Sequence, residues 1–150
     1  MFDVLVYVYE NYWRPDACPA PRQLSRKLSA VGFEPEEIEE ALSWLGGLSE
    51  RAQSGPAQPG AGSVRVWTEE EREHLGQECI GFLVFLDAAG VLTLPLREMV
   101  VDRAMAIPGA RLELEDMKIV VLMVFWSVGE EPDALILDEL FVAPHERLIH

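Results

Sequence analysis

The sequence predicts an all-α protein of about seven helices, with at most one very short strand near residues 64–67. Three observations carry this. The opening MFDVLVYVYENYW repeats apolar residues at helical spacing. Later apolar stretches are punctuated by helix signals, with Thr68 and Thr93 ahead of them and Gly32, Gly90 and Gly129 behind. The run Ile119 to Trp126 is apolar at every position and reads as the centre of a core.

The first helix is expected over Phe2 to Trp13. Phe2, Leu5, Val8, Tyr9 and Tyr12 make its apolar face, with Asp3, Tyr7, Glu10 and Arg14 opposite. Val4, Val6 and Val8 alternate as a strand would, but the polar residues keep a helical period. RPDACPAPRQ, with its three prolines, is a turn. A second helix follows over Pro21 to Val31, with Leu24, Leu28 and Val31 inward, Gly32 stopping it and Phe33 filling the corner. The third runs from Pro35 to Leu48 on an inner face of Ile38, Ala41, Leu42 and Leu45. Its acidic start suits the helix dipole, and Gly46 and Gly47 weaken its end.

ERAQSGPAQPGAGS, residues 50–63, keeps no apolar period and reads as a flexible loop. It divides a three-helix, helix-turn-helix-like unit (1–49) from a helical unit (64–150) that packs against it. Val64 to Trp67 alternate and suit the short strand. Thr68 and Glu71 have capping-box spacing, so a fourth helix starts there, bends at Gly76 and continues to Gly90. Its second half is nearly apolar all round and is expected to be buried. Thr93 caps a fifth helix with Pro95 in its first turn, and Pro108-Gly109 ends it. Its inward set is Leu96, Met99, Val100, Ala104 and Ile107. The sixth spans Leu114 to Val128. A seventh, Asp133 to Val142, packs back through Leu137, Leu140 and Phe141, and the APHERLIH tail frays.

At 150 residues the chain can bury a core without a staple. Cys18 and Cys79, far apart and outside any CxxC, suit a reducing compartment. The N-terminus has no basic region ahead of its apolar residues, and the longest apolar run is eight residues against the roughly 20 that span a bilayer. The expectation is a soluble cytoplasmic protein. The formal net charge of -14 opposes contact with phosphate backbones and anionic membranes.

Five ordered blocks carry a resemblance: MFDVLVYVYENY, GFEPEEIEEALSWLGGL, VRVWTEEE, GFLVFLDAAGVLTLPLREMVVDRAMAI and LEDMKIVVLMVF. In order and spacing they resemble the Smg family of bacterial proteins, over nearly the whole chain. The loop at 50–63 and the last helix are the weakest parts. Ile119 stands after Lys118 where that family commonly has an aromatic, which exchanges one core residue for another. The resemblance implies a bacterial cytoplasmic protein of uncharacterised function and transfers no catalytic residue.

The residues themselves offer little chemistry. His74 and Cys79 are five apart, and His145 and His150 sit in the tail, so no metal or cofactor is expected. G-x-S-x-G, the P-loop and the dinucleotide fingerprint are missing. The fifth helix is the exception. Arg97, Glu98, Asp102 and Arg103 interrupt a core-packing helix, and Glu98 and Asp102 form a like-charge i,i+4 pair that Arg97, Arg103 or Lys118 could neutralise. They read as a structural ion network before a functional site. Arg22, Arg26 and Lys27 on the second helix are the candidate nucleic-acid residues. The following helix, which would read the bases, carries Glu36, Glu37, Glu39 and Glu40, so nucleic acid is not favoured.

The expectation is a non-enzymatic adaptor or regulatory protein that binds another protein, with Tyr9, Tyr12, Trp13, Trp44 and Trp67 as aromatics available for contact. The alternatives are a nucleic-acid-binding module through Arg22, Arg26 and Lys27, and an enzyme centred on Arg97, Glu98 and Asp102.

Overall fold

The structure is a computed structural model that describes residues 1–12, 14–54, 66–109 and 111–130. Among these the chain forms α1 (Phe2–Asn11), a 3-10 turn (Pro15–Ala17), α2 (Pro21–Val31), α3 (Pro35–Ser54), α4 (Glu69–Ala88), α5 (Leu94–Met105) and α6 (Leu114–Val128). The architecture is all-α, with no strand among the described residues. The last expected helix, Asp133 to Val142, lies outside them.

α6 sits at the centre because it has no polar face to give to water. Met117 and the run Val120 to Phe125 are buried, and the helix touches α1, α3, α4 and α5. Each such side chain contributes about 1.5–3 kcal/mol through removal from water. α1 packs along it through Val4, Leu5 and Val8. α5 places Leu96, Met99, Val100 and Ala104 inward, and Ile107, two residues past its end, is buried as well.

Local signals explain most ends. The Thr68 hydroxyl accepts from Glu71 N–H at 3.1 Å and the Glu71 carboxylate accepts from Thr68 N–H at 2.9 Å, a complete capping box. Thr93 accepts from Leu96 N–H at 3.4 Å and Pro95 follows in the first turn. The bend at Gly76 is a break in helical geometry, at φ 75° and ψ 168°. The positive φ is what calls for glycine there; a Cβ would also stand 3.0 Å from Cδ of the exposed Arg111 side chain, which would have to shift slightly.

Several expectations are corrected. α1 ends at Asn11 rather than Trp13. Tyr12 is extended, its carbonyl accepts from Trp126 Nε1–H at 2.8 Å, and Pro15 holds Arg14 extended. Tyr7, read as part of the polar stripe, is half-buried and meets Phe33 edge-on at 5.8 Å. Val31 is 52% exposed, because inward packing of α2 ends with Leu28 one turn before the left-handed Gly32. α3 does not end at Leu48. It continues through Ser54, into the segment read as loop, and residues 55–63 lie outside the described part. Val66 and Trp67 are in no strand, and Val64 and Arg65 are not described. The second half of α4 is not buried all round, since Val84 and Phe85 are 53% and 54% exposed.

Candidate functional site

The charges of α5 divide into two groups. Arg97, 6% exposed, is held at the start of α5. Its Nη1 donates to Asp87 of α4 at 3.1 Å and its Nε to Glu98 at 3.3 Å. The short turn from α4 to α5 brings Asp87 and Arg97 together, although they are ten residues apart in sequence. This contact ties two helix ends and buries a guanidinium with partners.

One turn further on, Asp102 stands 3.9 Å from both Arg51 of α3 and Arg103. Its side chain is half exposed, and the contacts are long. Arg103 is the better-packed group. Its guanidinium lies 5.4 Å from the Trp44 ring centroid, and the Trp44 indole N–H donates to the Arg103 carbonyl at 2.9 Å. Gly47 leaves the space for it, because a Cβ there would stand 2.6 Å from Arg103 Nη1. Burial lowers the Arg103 pKa, Asp102 opposes that, and Arg51 adds to it.

Lys118 does not join either group. Its ammonium, nearly buried, lies 5.9 Å from the Phe82 ring centroid on α4. The expected link from Lys118 to the carboxylates of α5 is therefore replaced by a cation–π contact with α4. Arg51 supplies a cation to Asp102 because α3 runs past the loop boundary that composition predicts. Asp87 was also overlooked as a partner, although its place just before the α4–α5 turn would have signalled it.

Nothing in these groups places a nucleophile beside a base. His74 Nε2 lies 3.2 Å from the Ala104 carbonyl oxygen. The Cys79 thiol donates to the Leu112 carbonyl at 3.5 Å. Burial, then the negative fields of Glu78 and Asp116, push its pKa up to about 11, so it is a protonated packing group near neutral pH. Among the described residues no three His, Cys, Asp or Glu side chains stand close enough to share a metal ion, and no helix is long and apolar enough to cross a membrane.

Arg22, Arg26 and Lys27 are all exposed on α2, and Arg22 and Arg26 share a stripe. α3 packs beside α2 and exposes Glu36, Glu39 and Glu40. Those glutamates, with Trp44 and Arg103, line an open groove of about 580 Å³. Of the expected contact aromatics, Trp44 is buried, Tyr9, Tyr12 and Trp67 are half-buried, and Trp13 is not described.

The least expected surface is on α4. Gln77, Gly81, Val84, Phe85 and Ala88 are all exposed and recur at intervals of three and four, so they form one uncharged stripe. Glu78 flanks it on one side and Asp87 on the other. Nothing lies within 4 Å of where a Cβ at Gly81 would be, so another backbone can approach closely there.

All 150 residues match a family described as a protein of unknown function (DUF494). "Protein Smg homolog" of Methylibium petroleiphilum is 68% identical over the full length of both chains. That of Leptothrix cholodnii is 63% identical and that of Bordetella avium 49%, again over the full length of each. The chain belongs to the Smg family. No solved structure matches it. Membership carries no activity with it, so the surfaces of this Smg chain have to be read from their own chemistry.

Proposed function

We propose that this chain is a non-enzymatic, cytoplasmic adaptor or regulatory protein that binds another protein. The observation that supports this reading is the α4 stripe. A helix whose outer face carries Val84 and Phe85 half in water loses that apolar area to solvent unless a partner covers it. Glu78 at the rim, on a chain of net charge -14, favours a partner with apolar residues at the centre and Lys or Arg around them. A second copy is disfavoured, because two strongly acidic surfaces would repel.

The carboxylates of α5 are consistent with a structural role, since Arg97 bridges α4 and α5 and Asp102 faces α3. The basic residues of α2 would support nucleic acid only by outweighing the neighbouring glutamates.

The experiment places a photo-crosslinking residue at Val84 and, separately, at Arg26, in cells, and treats the products with nuclease. A nuclease-resistant crosslink to one protein at position 84, whose binding to the purified chain is lost in Phe85→Glu and kept in Arg22→Glu/Arg26→Glu, supports the proposal. A nuclease-sensitive product at position 26, with binding lost in Arg22→Glu/Arg26→Glu, overturns it in favour of nucleic acid.

A further inference from the structure

Arg97 and Lys118 are the two buried charged residues among the described ones, 6% and 7% exposed. Their surroundings differ. Arg97 is held by the carboxylates of Asp87 and Glu98. Lys118 forms no ion pair or hydrogen bond with the described residues. The Phe82 ring, 5.9 Å away, is what faces its ammonium. The chain has 26 Asp and Glu against 12 Lys and Arg, yet none of the described acids pairs with this cation. A charge taken out of water is costly without a counter-charge, and a ring face offsets part of that cost. A methionine would fill the space without it. Nor is the ammonium sealed: Nζ stays open to water, whereas Nε of Arg51 and of Arg103 do not.

The position of this cation matters. Phe82 is half-buried on α4, four residues after the exposed Glu78 and three before the exposed Phe85. The three share one edge of the uncharged α4 stripe. Lys118 therefore brings a positive charge from α6 to that edge, one helical turn beyond the negative charge of Glu78. The stripe runs from Gln77 to Ala88, about 17 Å, which is longer than a small molecule covers and suits a helix of another protein.

We propose that Lys118 receives a carboxylate of the protein that covers the α4 face, an Asp or Glu beside the apolar residue that packs on Phe85. The inference rests on the α4 reading and specifies its partner. Along this edge the partner carries a Lys or Arg against Glu78 and, one turn away, an acid against Lys118. That order of charges fixes the direction in which it lies on α4.

The chain has two lysines, Lys27 and Lys118. An isotopic carbon label at the lysine ε-position therefore gives two magnetic-resonance signals, and the exposed Lys27 is the internal control. The probe is a capped amphipathic helical peptide with a leucine stripe, edged by Lys and Glu one turn apart. It is made in both orders, each beside a version with Gln in place of Glu. Titrated into the full-length chain, one Glu peptide should move the Lys118 signal, leave Lys27 in place and bind about tenfold more tightly than its Gln counterpart. Lys118→Met should unfold at a higher midpoint and bind the Glu and Gln forms alike, and Lys118→Arg should restore part of the preference. Phe85→Glu should weaken every peptide. Equal binding of Glu and Gln forms to the native chain, still weakened by Phe85→Glu, overturns the role of Lys118 and leaves the α4 reading standing. Binding indifferent to Phe85→Glu, or no binding by any peptide, overturns both. Sodium hexanoate moving the Lys118 signal at the peptide's concentration makes the ligand a free acid and also overturns the proposal. If Lys118→Met does not fold, the Glu–Gln comparison on the native chain decides.

Discussion

Arg97 of α5 donates to Asp87 of α4 at 3.1 Å, with the arginine nearly buried and the aspartate half open to water. This asymmetry sets what each partner is worth. Asp87→Asn leaves a buried guanidinium with a weakened acceptor and should lower stability by about 1–3 kcal/mol. Glu98→Gln, at 3.3 Å and next in sequence, should lower it by less than about 1 kcal/mol. Asp102→Asn should be close to neutral, given its 3.9 Å contacts and half-exposed side chain. Denaturant unfolding of the three variants checks the order. If Glu98→Gln or Asp102→Asn keeps full stability and loses partner binding, α5 becomes the functional surface.

Gly46 and Gly47 are neighbours with opposite surroundings. A Cβ at Gly46 meets open space, whereas at Gly47 it meets the Arg103 guanidinium at 2.6 Å. Gly46→Ala should stabilise the helix by about 0.5–1 kcal/mol through helix propensity and chain entropy. Gly47→Ala should gain less, because Arg103 must leave its place over Trp44. Equal gains at the two positions would show that the Arg103 contact contributes nothing.

The two faces of α4 should respond differently to truncation. Leu83 is fully buried, so Leu83→Ala should lower stability by about 2–5 kcal/mol. Phe85→Ser should change it by no more than about 0.5 kcal/mol, because the ring is 54% exposed. A large loss at Phe85 would mean that the face is covered within the molecule.

Cys79 gives a pH dependence. Its folded pKa, about 11, is raised by burial above the ordinary thiol value of 9.0. The folded state therefore favours the protonated thiol. That contribution is fully present below the unfolded-chain value and is lost as pH rises towards 11. Thermal unfolding between pH 8 and 10.5 should show the native chain losing stability faster than Cys79→Ala. Parallel curves would indicate that the thiol is solvated.

Much of this was legible in local sequence. Thr68 with Glu71, Thr93 with Pro95 and the glycine at 76 act within a few residues of themselves, so spacing alone locates them. The inward set of α5 was legible from the spacing of Leu96, Met99, Val100 and Ala104, although the buried Arg97 was not. Other features depend on distant parts of the chain. Gly46-Gly47 reads as a weak helix end, yet α3 continues to Ser54, because Trp44 and Leu48 are packed into the core on either side. The ion pairs were only half legible, since Asp87 and Arg51 enter from α4 and α3. Val84 and Phe85 of the α4 stripe are core-type residues that lie outside the core. Periodicity reports that a residue is apolar, not which surface covers it.

The most direct test is a titration of the crosslinked, purified partner against three chains: native, Phe85→Glu and Arg22→Glu/Arg26→Glu, each verified as folded. A protein-binding α4 face requires Phe85→Glu to weaken binding at least about thirtyfold, equivalent to about 2 kcal/mol, while the α2 variant stays within about threefold of native. Unchanged affinity in Phe85→Glu, or loss only in the α2 variant, would contradict it.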